Sequence, residues 1–353
     1  MFLSAGLSPL GYILNILFLC IGVLLLVKGA DWFVASSSSI AKKFKISSLV
    51  IGLTVVSFGT SAPELAVSTI SSLKGVSGIA LGNVVGSNIC NMALVLGLSA
   101  LISPIAIKKS LCKREIPFLI MTTVVLMIFA FDNLLSGYKG YENLLARGEC
   151  LIFLALFVVY CYISIIMAQK EIEDPREGEA EVQDEIVELP MKKTIILLVL
   201  GLAGIILGAE FVTTPAKNIA TSIGLIIGVE EDLLTTLVGL TVVAVGTSLP
   251  ELVTSVMAAK KGENEIAVGN VVGSNIFNIL LILGVSGTIT PLTMSADIMT
   301  DIILSLALTF LMLYFAKTGK MKRSTGLIFV LCYVAYLAYI VTRLFFPFIV
   351  IPA

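Results

Sequence analysis

The sequence predicts an all-α polytopic membrane protein of ten transmembrane helices, arranged as two inverted five-helix repeats. Three observations carry that expectation. The composition is apolar, apolar runs of membrane-crossing length recur from end to end, and a long internal duplication gives each copy an odd number of runs. Of 353 residues, 58% are hydrophobic and 13% charged, against roughly 45–50% and about 25% in soluble globular chains. A net charge of −1 gives no basic surface for nucleic acid. There is no histidine, which excludes histidine metal sites and proton relays. Cys20, Cys90, Cys112, Cys150, Cys161 and Cys332 are scattered without metal-ligand spacing and read as small buried apolar residues.

Ten runs are long enough to cross about 30 Å of hydrocarbon. They fall near 11–34, 48–72, 79–103, 115–131, 149–168, 194–216, 233–259, 265–289, 298–316 and 325–349. The first lacks the basic flank of a secretory signal and reads as a span. With the N-terminus outside, 18 of the 23 basic residues lie inside, and only Lys74, Lys139, Arg147, Lys217 and Arg343 lie outside. That bias places both termini outside the cell membrane. The fifth and sixth spans are joined by a hydrophilic stretch, 169–193, with nine acidic residues from Glu171 to Glu188. It reads as a cytoplasmic linker between residues 1–168 and 194–353, since it lacks the spacing of an EF-hand.

Residues 52–104 and 239–291 agree at 31 of 53 positions under a shift of 187 without a gap. Gly, Pro, Glu, Asn and Ser coincide, which apolar drift cannot produce. They form the cores of two duplicated segments near 48–104 and 233–291. Upstream, Gly29-Ala30-Asp31 matches Gly208-Ala209-Glu210 under a shift of 179, so the second copy carries about eight extra residues around Gly224–Glu231. Five spans per copy turn the second copy upside down. Inverted repeats place a substrate near the midplane, where the copies meet.

The chemistry lies in the duplicated segments. Gly59-Thr60-Ser61-Ala62-Pro63-Glu64 sits mid-span, and its twin is Gly246-Thr247-Ser248-Leu249-Pro250-Glu251. A carboxylate at the bilayer centre costs about 2.5–3.5 kcal/mol even on insertion scales and marks a functional site by default. No lysine or arginine lies at comparable depth to pair with it. Each proline lacks an N–H and clashes with the carbonyl four residues back, so both helices must bend. Freed carbonyls, hydroxyls and carboxylates are the all-oxygen donors that hard cations take. In the next span, Asn83, Ser87 and Asn91 share one helix face, as do Asn270, Ser274 and Asn278. Ser87, Asn91, Ser274 and Asn278 read as ligands. Asn88 and Asn275 fall off that face and read as helix-packing residues.

At these residues the sequence resembles the cation/Ca²⁺ exchanger superfamily, which includes Na⁺/Ca²⁺ exchangers. Its two alpha-repeats carry G-T-S-x-P-E followed by G-N-x-x-G-S-N. The likeness is closest to short prokaryotic members, which lack large cytoplasmic calcium-binding domains. It implies a Ca²⁺ site formed by the Glu64 and Glu251 carboxylates and the Thr60 and Thr247 backbone oxygens. It also implies flanking Na⁺ sites using Ser57, Ser61, Ser87, Ala244 (by its carbonyl), Ser248 and Ser274. Spans 1 and 6 are implied to slide across the other eight. One departure stands out: many members have aspartate at one or both positions matching Asn91 and Asn278, and here both are asparagine. The site then holds two formal negative charges, which balance one Ca²⁺ or two Na⁺.

The expected activity is secondary antiport of Ca²⁺ against Na⁺ by alternating access, in a monomer, with the transported ions as ligands and no cofactor. A Ca²⁺/H⁺ antiporter would use the same site. A channel would use the same donors, but an inverted five-span repeat suits alternating access better. An intramembrane hydrolase is the weakest reading, since the chain has no histidine and no nucleophile–base constellation.

Overall fold

The computed structural model describes residues 7–75, 77–131, 143–173, 189–226 and 244–345. The linker's acidic centre, the extra residues of the second copy from 227 on, most of the first half of span 7 and both extreme termini lie outside these residues.

In chain order the helices are α1 (Pro9–Phe44), then α2 (Ser48–Thr60) and α3 (Ala62–Leu73), a pair bent by 46°. There follow α4 (Gly78–Ile102), α5 (Ile116–Ala130), α6 (Arg147–Glu173) and α7 (Met191–Ile226). The second half continues with α8 (Ala244–Thr247), α9 (Leu249–Lys260), α10 (Asn264–Ile289), α11 (Ala296–Ala316) and α12 (Arg323–Phe345). Among the described residues, seven helices are long and apolar enough to cross a membrane, or eight if the bent α2–α3 pair is one crossing.

The expected first span ended at residue 34, but α1 continues to Phe44. The reason is local. Ser36 returns its hydroxyl to the carbonyls of Trp32 and Phe33, so its polar group is satisfied within the helix while buried against the protein. The helix stops where Lys45 turns left-handed at φ 55°. At its other end Ser8 caps Gly11 N and Pro9 opens the first turn.

The long helices α1 and α7 pack on each other through small residues. A Cβ on Gly29 would stand 2.8 Å from Gly201 O, and one on Gly22 would stand 2.9 Å from Gly208 O. Bare backbones therefore touch, as small residues permit in membranes. The outward faces of both helices carry exposed Leu, Ile and Val side chains, among them Leu24 and Val199. The duplicated helices α4 and α10 lie at the other extreme: 72% and 94% of their central windows are buried. They form the core of the molecule.

Among the described residues are four two-residue strands that the sequence did not lead one to expect. They are β1 (Ile105–Ala106), β2 (Leu144–Leu145), β3 (Leu292–Thr293) and β4 (Lys320–Met321). β1 pairs antiparallel with β4, and β2 with β3. Each pair joins a loop of the first half to a loop of the second, which no local pattern in the sequence encodes.

Candidate cation site

The two bends are nearly identical. Ser61 sits at φ −84°, ψ 7° and Ser248 at φ −87°, ψ 5°, each just outside helical geometry. Pro63 and Pro250 follow two residues later and cannot donate to Gly59 and Gly246. The second half of each broken helix starts afresh, with Glu64 and Glu251 in its first turn. A helix N-terminus favours a carboxylate there.

Both carboxylates are enclosed, at 1% and 0% exposure. Among the described residues neither takes part in an ion pair. The hydroxyl of Ser61 donates to Glu251 Oε1 at 2.8 Å, and that of Ser274 reaches the same oxygen at 3.4 Å. The two broken helices thus cross side by side. Glu251 Oε2 and both oxygens of Glu64 are buried without a hydrogen-bond partner in the protein. So are the hydroxyls of Ser87 and Ser248 and the side-chain oxygens of Asn91 and Asn278. Buried polar atoms are nearly always paired, and a cluster of exceptions calls for a ligand.

A second tier of side chains holds this one. Asn270 donates to Ser255 Oγ at 2.9 Å and to the Glu251 carbonyl at 3.3 Å, and accepts from Thr60 Oγ1 at 3.0 Å. Its twin Asn83 does the same for Ser68, Glu64 and Thr247, at 3.0, 3.5 and 3.4 Å. Asn88 and Asn275, expected to be packing residues, bond across the centre: each donates to the other's backbone carbonyl, at 3.4 and 3.3 Å. Asn91 then donates to Asn275 Oδ1 at 3.1 Å and Asn278 to Asn88 Oδ1 at 3.0 Å. A π-helical turn begins at Asn91 and another at Asn278, as happens often at functional sites.

Ser57 lies at the crossing of α2 and α10. Its hydroxyl faces the carbonyls of Gly52, Gly269 and Asn270, at 2.7, 3.3 and 3.2 Å. Gly273 lets the helices meet there, since a Cβ on it would stand 2.2 Å from Ser57 Oγ. Ala244 opens the described part of α8, and only its backbone is described. The hydrogen bonds thus join Ser61 and Ser274 to Glu251 and Asn91 and Asn278 to the central Asn88–Asn275 pair. Glu64, Ser87 and Ser248 are buried with unpartnered oxygens, and Thr60 and Thr247 bond to Asn270 and Asn83. Ser57 sits one turn away, with its proton engaged. Sequence reasoning passed over Ser68 and Ser255. The available signal was their repetition at four residues after each glutamate.

Chemically, the site offers two carboxylates and neutral oxygens. Such a donor set fits hard cations.

Comparison with known proteins places this arrangement. The family model described as "Sodium/calcium exchanger protein" matches residues 14–166 and 193–342. The chain is 38% identical to the sodium/calcium exchanger MaX1 of Methanosarcina acetivorans, over 92% of this chain and 97% of that protein. It is 37% identical to the putative antiporter CaxA of Alkalimonas amylolytica, over 91% of this chain and 96% of that one. A solved structure of the sodium-calcium exchanger NCX_Mj, soaked with Na⁺ and zero Ca²⁺, superposes with a TM-score of 0.75. It is 33% identical and covers 93% of this chain and 99% of that one. The family model, the relatives and the membrane-crossing helices agree: the chain is a multi-pass membrane protein of the sodium/calcium exchanger family.

Proposed function

We propose that this protein exchanges Ca²⁺ for Na⁺ across the cell membrane by alternating access, using the oxygen cluster between the two broken helices. One observation carries the reading. Seven side-chain oxygens from Glu64, Glu251, Ser87, Ser248, Asn91 and Asn278 are buried without a partner, an all-oxygen set of the kind that hard cations such as Ca²⁺ and Na⁺ take. Glu64 and Glu251 bind either one Ca²⁺ or monovalent ions, and this competition couples the fluxes. The backbone oxygens of Thr60 and Thr247 complete the Ca²⁺ site. Ser57, Ser61, Ser87, Ser248, Ser274 and the Ala244 carbonyl serve Na⁺.

The loops support ten crossings in inverted halves. With the N-terminus outside, residues 105, 320, 102 and 323 share the inner side, where β1 meets β4 and Arg323 reaches Ile102 O. Residues 144, 292, 147 and 289 share the outer side, where β2 meets β3 and Arg147 reaches Ile289 O. Every described loop contact of this kind joins residues assigned to one side. The remaining two crossings are α5 extended by the π-helical turn Leu111–Glu115, and α8–α9. The monomer is the functional unit.

The test is ion flux in proteoliposomes with separately imposed Na⁺, H⁺ and Ca²⁺ gradients. Na⁺-driven Ca²⁺ uptake is expected, and Glu64→Gln or Glu251→Gln should reduce it by about 100-fold, equivalent to ~2.7 kcal/mol. Uptake driven by a pH gradient alone, or unchanged uptake in both variants, would overturn the reading.

A further inference from the structure

An asparagine amide presents oxygen on one side and NH₂ on the other, and a cation accepts only the oxygen. An aspartate needs no such choice. Because positions 91 and 278 are both asparagine here, something must set which way each amide faces. Their surroundings are dry: Asn88, Asn91, Asn275 and Asn278 are exposed by 2%, 0%, 1% and 0%.

The hydrogen bonds fix the answer step by step, starting from a group that can only accept. The backbone carbonyl of Asn275 faces Asn88 at 3.4 Å, so the Asn88 amide must turn its NH₂ there. That leaves Asn88 Oδ1 to receive Asn278 Nδ2 at 3.0 Å. Asn278 Oδ1 is then left buried and unpartnered, one turn beyond Ser274, whose hydroxyl reaches Glu251. The mirror chain runs from the Asn88 carbonyl through Asn275 (3.3 Å) to Asn91 (3.1 Å), and leaves Asn91 Oδ1 unpartnered. Each asparagine of the site is thus oriented by a residue on the opposite helix.

We propose that Asn88 and Asn275 are positioning residues for cation binding, locking the amides of Asn278 and Asn91 with oxygen toward the cation. The proposal rests on the cation site described above. Without the lock, an amide turns its NH₂ inward about as readily as its oxygen, and the site loses a ligand and gains a repulsive donor.

The test is a rescue experiment on purified full-length protein, with Ca²⁺ binding measured by calorimetry and folding by thermal melting. Asn88→Leu keeps the volume and removes the amide. It should weaken Ca²⁺ binding about tenfold, the scale of one net hydrogen bond. In an Asn278→Asp background, where orientation no longer matters, Asn88→Leu should change affinity by no more than about twofold. In an Asn91→Asp background it should still cost about tenfold, because Asn91 is held by Asn275. This crossed specificity separates orientation from the added charge, which both backgrounds share. Equal losses in all three backgrounds, or equal rescue by both aspartates, would overturn the proposal while leaving the cation site standing. Absence of Ca²⁺ binding in the unsubstituted protein would instead remove the site itself. If Asn88→Leu does not fold, Asn275→Leu tests the same scheme with Asn91→Asp as the rescuing change. Failure of both to fold even in their rescuing backgrounds would make the amides structural and the proposal wrong.

Discussion

Ser61 and Ser248 occupy equivalent places in the two bends, yet only Ser61 reaches a carboxylate. The twin arrangement leaves Ser248 Oγ and both oxygens of Glu64 without partners. Unpaired buried groups cost about 1–3 kcal/mol each, so the Glu64 half of the site has the larger demand for a cation. The glycines around this network matter as much as its oxygens. A Cβ on Gly273 would stand 2.8 Å from Leu53 O as well as against Ser57 Oγ, and backbone cannot rotate away as a side chain does. Gly273→Ala should therefore destabilise the protein by about 1–3 kcal/mol, the usual cost of overpacking. Thermal melting in detergent measures it, and an unchanged midpoint would refute the tight crossing. The two glutamates stood out in the sequence because duplication and bilayer depth single them out, and Ser87 and Ser274 because they share a helix face with asparagines. The threonines and the serines of the bends were named only by the family resemblance. The roles of Asn88 and Asn275 were not legible: helix period puts them off the ligand face, and their partners lie 187 residues away.

At the scale of elements, α1 and α7 form a pair set apart from the bundle. Their glycines interlock in two equivalent contacts, Gly22 with Gly208 and Gly29 with Gly201. Under the shift of 179, Gly22 matches Gly201 and Gly29 matches Gly208, so each contact joins a glycine to the counterpart of its neighbour. Asp31 on α1 ties this pair to the bundle through Lys261, just beyond α9, at 2.6 Å. Both side chains are partly exposed, at 40% and 29%, and such ion pairs are worth about 0–1 kcal/mol. If exchange runs by the proposed alternating access, a tether that weak can part during each cycle. Cysteines at Asp31 and Lys261, in a chain with the six native cysteines replaced, should arrest exchange when bridged by a short bifunctional thiol reagent. They should leave Ca²⁺ binding intact. Full bridging with undiminished exchange would show that α1 does not move against this corner. The sequence indicated two long apolar runs here, but their contact depends on backbones meeting where side chains are missing.

For the whole molecule, the two strand pairs fasten the halves together at opposite ends of the helices. If the crossings alternate as proposed, positions 106 and 320 face the cytoplasm and 144 and 293 face outward. Single cysteines replacing Ala106, Lys320, Leu144 and Thr293, again without the native cysteines, should react with an impermeant maleimide in two classes. In intact cells 144 and 293 should be labelled, and 106 and 320 only after permeabilisation. Labelling of 106 together with 144 would refute the inverted arrangement. The apolar exterior and the polar centre follow one physical logic: lipid solvates Leu and Val, so charge is retained only where protein supplies or awaits a counter-charge.

Read alone, the sequence determined the class of the protein, most of its spans, its duplication and the two glutamates. Each of these is a local or periodic property, since a bilayer demands apolar length and penalises any carboxylate placed within it. Only the tertiary structure decided how far α1 extends, where β1–β4 pair and how α1 meets α7. It alone decided which site oxygens are engaged and which are left free. Those outcomes depend on hydrogen bonds and backbone contacts between the two copies, such as the one joining Asn88 to Asn275, and no run of neighbouring residues contains both partners.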